Sequence, residues 1–180
     1  MKEYYHFETA KVFDTFWSVN STTPIDIDPK EYVQTLEFLK QIDFLKGVPE
    51  ENLKSLLFSL QKQTIPALKT IVRQGEIGNS LYFIRRGKVA ITTKAKGGQI
   101  HLAELTIAHY FGEISLLRPT SATATVTAGD EEVEVLILSN DAMTQLSKKF
   151  ADIEDRIKNV IDSRLDAKKK AKEADENPEA

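Results

Sequence analysis

The chain is 180 residues long, 41% hydrophobic and 28% charged, with a formal net charge of −3. These values suit one globular domain with appendages and leave no global basic field to attract nucleic acid or an anionic membrane. The absence of cysteine excludes disulfides, thiolate metal sites and cysteine nucleophiles.

The first residues, Met1 to His6, carry no apolar core of a signal peptide, and no apolar run approaches the ~18 residues of a membrane helix. A cytoplasmic protein with neither membrane nor nucleic acid as partner is the expectation. Residues 1–27 form an irregular arm rich in aromatics, with Phe13, Phe16 and Trp17 spaced for one helical face. Such an arm packs on its own domain or offers a partner or dimer surface. Glu3, Glu8 and Asp14 argue against an anionic lipid surface.

Asp28-Pro29-Lys30-Glu31 has the form of a capping box with proline at the first helical position. Val33, Leu36, Leu39 and Ile42 then supply an apolar stripe. Gly47 and Pro49 punctuate before a second helix with Leu53, Leu56, Leu57 and Leu60 on one face, and Pro66 closes the helical region. From about Leu68, short β-branched and aromatic runs alternate with glycines. Strands are predicted at 70–72, 81–84, 89–93, 100–103, 124–126 and 133–138, with Gly75, Gly78, Gly87, Gly97 and Gly98 at turns. Strands at this spacing predict a closed sandwich or barrel. Ser139-Asn140-Asp141 offers an N-cap for a further helix. The stripe Met143, Leu146, Phe150, Ile153, Ile157, Val160, Ile161 and Leu165 follows. Its length predicts packing partly on the barrel and partly on a second copy or on the aromatic arm. The charged residues after it, 166–180, lack an apolar face and read as a disordered tail.

Residues 111–126 carry the most chemistry. Phe111-Gly112-Glu113 opens a short apolar helical turn, and a run of small residues then leads into a strand. Free backbone N–H groups at a helix start suit a phosphate, and the adjacent carboxylate suits a sugar hydroxyl. Other chemistry finds little support. His6, His101 and His109 are not clustered as metal ligands, so no metal site is expected. Neither a Gly-x-Ser-x-Gly elbow nor a phosphate loop ending in Gly-Lys-Ser/Thr occurs, so an enzyme is not expected either.

Segment 111–126 resembles the phosphate-binding cassette of cyclic-nucleotide-binding domains. Supporting stretches occur in the same order as in that family. They are Phe44 to Val48 with the helix after it, Ile71 to Ile84 as a glycine-bounded hairpin, Gly87-Lys88-Val89, and Leu105 to Phe111. Asn79 stands where the family usually has aspartate, and Ala108-His109 where Gly-Asp is common. The resemblance implies an α+β fold, with an eight-stranded β-barrel or jelly roll flanked by N- and C-terminal helices. The expected organisation is an arm at 1–27, the domain with its flanking helices at 28–165, and the tail.

By the same resemblance, Glu113 would accept from the ribose 2′-hydroxyl. Gly112, Ile114 and Ser115 occupy the helix start that holds the cyclic phosphate. Thr123 would lie against the phosphate, and Val89 and Ile91 would line the base side. The family's arginine, nine residues after the glutamate, is here Ala122. Arg118, at the far end of the short turn, is poorly placed to replace it. Two readings follow: a small regulator that senses cyclic AMP or cyclic GMP weakly and signals through its helices to a partner, or a degenerate non-binding domain that acts as an interaction or dimerisation scaffold. No resident cofactor is expected. The homodimer or protein partner would engage helices 141–165 or the aromatic arm.

Overall fold

The computed structural model describes residues 28–96, 98–117 and 120–176, so the aromatic arm lies outside the described residues. The chain begins with α1 (Pro29–Leu39), a 3-10 turn (Asp43–Leu45) and α2 (Glu50–Leu57). The strands follow: β1 (Leu60–Ile65), β2 (Thr70–Val72), β3 (Ser80–Arg86), β4 (Val89–Ala95), β5 (Gly98–Leu105) and β6 (Tyr110–Phe111). A short helix α3 (Glu113–Leu117) then precedes β7 (Thr125–Ala128) and β8 (Val133–Ser139). The chain ends in α4 (Asn140–Lys149) and α5 (Asp152–Glu176).

The strands form two four-stranded antiparallel sheets, ordered β1-β8-β3-β6 and β2-β7-β4-β5. The sheets face each other as a jelly roll and are not closed into a barrel. The molecule thus has three layers: helices, first sheet, second sheet. The central strands show why. In β8, Val133 and Val135 face the core between the sheets, while Leu136 and Leu138 face the helices. In β3, Leu81 and Phe83 face the helices and Ile84 faces the other sheet. A strand covered on both sides reads as a continuous apolar run rather than an alternating one.

The helical layer is pinned by charge as well as by apolar contact. Glu31 on α1 pairs with Arg85 of β3 and Lys62 of β1, and the Arg85 guanidinium holds the Glu31 carboxyl below its usual range. This corrects the capping-box expectation: Asp28 makes no side-chain cap, and Glu31 reaches across to the sheet instead of back to the helix start. Ser139 does cap α4, accepting from the Ala142 N–H.

The apolar stripe is covered by its own chain. Met143, Leu146, Ile153, Ile157 and Ile161 are all buried with Phe44, Leu45 and the α2 leucines. Arg156 fixes α5 further, donating to the carbonyls of Phe44 and Lys46. The predicted second copy is therefore not needed to bury helices 141–165. The tail also differs from expectation: α5 continues to Glu176, and its residues Arg164, Leu165, Ala167 and Lys168 lie on a surface of the domain. That surface is the cavity of the next section.

Candidate functional site

The cassette is built on one glycine. Gly112 has φ +94°, and a Cβ placed there would lie 2.4 Å from the Ser80 carbonyl oxygen. Only glycine tolerates both the backbone conformation and the close approach. The turn it allows carries the chain from β6 into α3 and directs Glu113 inward, where it is 2% exposed. Ser115 on the same short helix is also buried.

Downstream of α3, Ala122 is tied to the turn between β2 and β3. Its N–H donates to Glu76 O, and its carbonyl accepts from Gly75 N, both at 2.8 Å. Residues on both sides of α3 line a cavity of about 130 Å³ with mainly apolar walls. Gly112, Glu113, Ile114, Ser115, Ala122, Thr123 and Ile91 all line it. Seven of the eight residues singled out from the sequence thus meet at one cavity.

Val89 is the exception. It is fully buried between the sheets, opposite Leu105 and Ala128, and does not line the cavity. Ile91, two residues along the same strand, reaches the cavity wall where β4 approaches the cassette. Arg118 lies outside the described residues.

The fourth wall comes from α5, which the sequence did not place here. Arg164, Leu165, Ala167 and Lys168 all line the cavity. Arg164 donates from Nη1 to Glu113 Oε1 at 2.6 Å and from Nη2 to the Tyr110 carbonyl at 2.9 Å. Its guanidinium also lies 5.2 Å from the centre of the Tyr110 ring. Burial pushes the Tyr110 phenol up to about 12, so the ring stays neutral beneath the cation. Lys168 donates from Nζ to the Thr123 carbonyl at 2.5 Å, and burial pulls its pKa below the ordinary lysine value. The signal for this wall was present in the sequence: Ile161, Arg164, Leu165 and Lys168 continue the helical spacing of the stripe. The change from apolar to charged residues concealed it.

A carboxylate buried at a glycine-opened helix start can accept from a hydroxyl. The cavity wall beside it suits a flat apolar group, and the helix across its mouth can respond to what lies inside. A family model described as "Cyclic nucleotide-binding domain" matches residues 62–150. Residues 62–150 are a cyclic nucleotide-binding domain. Human cGMP-dependent protein kinase 2 is 26% identical over 148 residues, which cover 80% of this chain but 19% of that kinase. The regulatory domain of Toxoplasma gondii PKA, solved with cAMP, superposes with a TM-score of 0.69 at 23% identity, over 83% of this chain and 55% of that one. The regulatory subunit of a cAMP-independent protein kinase A from Trypanosoma cruzi, solved bound to guanosine, gives 0.60 at 22% identity, over 74% and 50%. At these identities the structural likeness is one of fold. Among the described residues, no helix is long and apolar enough to cross a membrane.

Proposed function

We propose that this cyclic nucleotide-binding domain is a regulatory, non-catalytic module that senses a cyclic nucleotide weakly and passes a movement of α5 to a protein partner. The observation that carries the reading is the buried Glu113 at the cavity, bonded to Arg164 of the helix that closes it. A ribose hydroxyl entering the cavity would meet a carboxylate already linked to α5, so occupancy and helix position are coupled. Such coupling is reciprocal: whatever holds α5 also tunes ligand affinity.

Weak binding follows from Ala122. Losing one partner of a desolvated charge pair typically costs ~2–5 kcal/mol, which is roughly thirty-fold to several thousand-fold in affinity. A micromolar site becomes a high-micromolar to millimolar one. A second reading has its own support. Arg164 already satisfies Glu113 without any ligand, as a domain that has become an interaction scaffold would require.

Isothermal titration of the native chain and of Ala122→Arg with cyclic AMP and cyclic GMP separates the two. The sensor reading expects weak binding by the native chain and a gain of about tenfold or more in the variant, because arginine restores a bidentate phosphate partner. Tight native binding would show that the arginine was never needed. No binding by either form would leave the scaffold.

A further inference from the structure

The cavity has lost its arginine but not every cation. Among the described residues, the basic side chains lining it are Arg164 and Lys168, both on α5. Arg164 is committed: one nitrogen holds Glu113, and the other holds the Tyr110 carbonyl. Lys168 is not. Its ammonium has three hydrogens, of which one goes to the Thr123 carbonyl. No carboxylate among the described residues lies within ion-pair distance of it. Thr123 is the neighbour of Ala122, so the ammonium sits one residue along the chain from the vacant arginine position.

On this basis, and resting on the sensor reading above, we infer that Lys168 supplies from the closing helix the positive charge that the cassette lacks at Ala122, and that it binds the ligand's phosphate. Three physical points support the assignment. First, a half-buried cation without a counter-ion is costly, and here burial and the neighbouring Lys172 both disfavour its charge. An arriving anion removes that cost. Second, lysine binds phosphate as a compact point charge on a flexible stem and needs no fixed fork geometry. It can therefore serve from across the mouth of the cavity as well as from within the cassette. Third, Arg164 and Lys168 are four residues apart and share one face of α5. The helix thus presents one group to the carboxylate that would take the ribose hydroxyl and, one turn later, a second to the phosphate beside it. In this arrangement phosphate recognition and closure of α5 are one event.

The bland alternative is that Lys168 only caps a carbonyl and steadies the helix. The test compares a charged ligand with an uncharged one. The full chain, Lys168→Met and Lys168→Arg are titrated with cyclic GMP, cyclic AMP and guanosine by NMR, which reads millimolar affinities, and thermal melts check folding. Lys168→Met keeps the aliphatic stem and loses the charge. Its cyclic nucleotide affinity is expected to fall about tenfold or more, while guanosine is unaffected and Lys168→Arg keeps most of the native affinity. Cyclic nucleotide binding unchanged in Lys168→Met overturns the inference while leaving the sensor reading intact. Equal losses for guanosine and cyclic nucleotides overturn it in favour of the structural role. A native chain that binds no cyclic nucleotide overturns the sensor reading and this inference together. If Lys168→Met melts early, Lys168→Gln is read in its place by the same criteria.

Discussion

The two halves of α5 are held by different forces. Residues 152–161 present Ile153, Ile157 and Ile161, each fully buried against the 3-10 turn and the α2 leucines. Residues 164–168 present Arg164 and Lys168, which reach the cavity rim through directed hydrogen bonds. Apolar burial is non-directional and strong, at ~25 cal/mol per Å². Partly exposed hydrogen bonds are each worth ~0.5–1.5 kcal/mol net, somewhat more with a charged partner. The proximal half is therefore an anchor and the distal half a latch. A helix made this way can respond at one end without unfolding at the other, because local opening follows local stability.

The largest effect should come from breaking the anchor. Ile157→Ala removes a fully buried side chain from the helical layer and should cost ~2–5 kcal/mol, read as a lowered denaturation midpoint at unchanged slope. A cost within ~0.5 kcal/mol would mean that α5 contributes little to the fold.

Next in size is the seat on which the latch closes. Gly112→Ala forces a Cβ onto the Ser80 carbonyl at a left-handed φ, so it should destabilise by ~2 kcal/mol or more and abolish any ligand binding. A variant of native stability would contradict the close approach.

Breaking the latch itself should be milder. Arg164→Lys keeps a cation for the buried Glu113 but loses the second bond, to the Tyr110 carbonyl, at ~1 kcal/mol, discounted for the partial exposure of the arginine. Amide exchange should quicken over residues 164–176 while residues 152–161 stay protected. Uniform quickening along α5 would erase the distinction between the halves.

The smallest effect is a control that touches neither half. Ala108 has φ +66°, a conformation that costs a non-glycine residue ~1–2 kcal/mol, so Ala108→Gly should stabilise the fold by about 1 kcal/mol and leave α5 exchange unchanged relative to the core.

Much of this was legible in the sequence because single forces dominated. Periodic leucines announced α1 and α2, continuous apolar runs announced β3 and β8, and Ser139 announced the start of α4. The cassette was legible because Phe111-Gly112-Glu113 before a short apolar turn resembles the family's pattern, and glycine beside a carboxylate at a helix start has a chemical reading of its own. What escaped reading depended on distant partners. Strand β1 has four exposed residues between Leu60 and Ile65, so only its ladder with β8 makes it a strand. The leucine at its start instead completed a helical stripe with Leu53, Leu56 and Leu57. Strand β6 is two residues long, too short for any periodicity. The distal half of α5 is held by directed bonds from Arg164 and Lys168 rather than by an apolar face, and of the charges that marked 166–180 as a free tail Lys168 is one that bonds back to the domain. Val89 and Ile91 share one face of β4, and only the path of the cassette decides which of them reaches the cavity.

The most direct test of the central claim is amide hydrogen exchange of the native chain with and without saturating cyclic GMP or cyclic AMP, followed residue by residue along α5. The account predicts added protection over residues 164–176 and at the cassette, with residues 152–161 unchanged. Protection that does not change anywhere, or that changes equally along the whole helix, would contradict it.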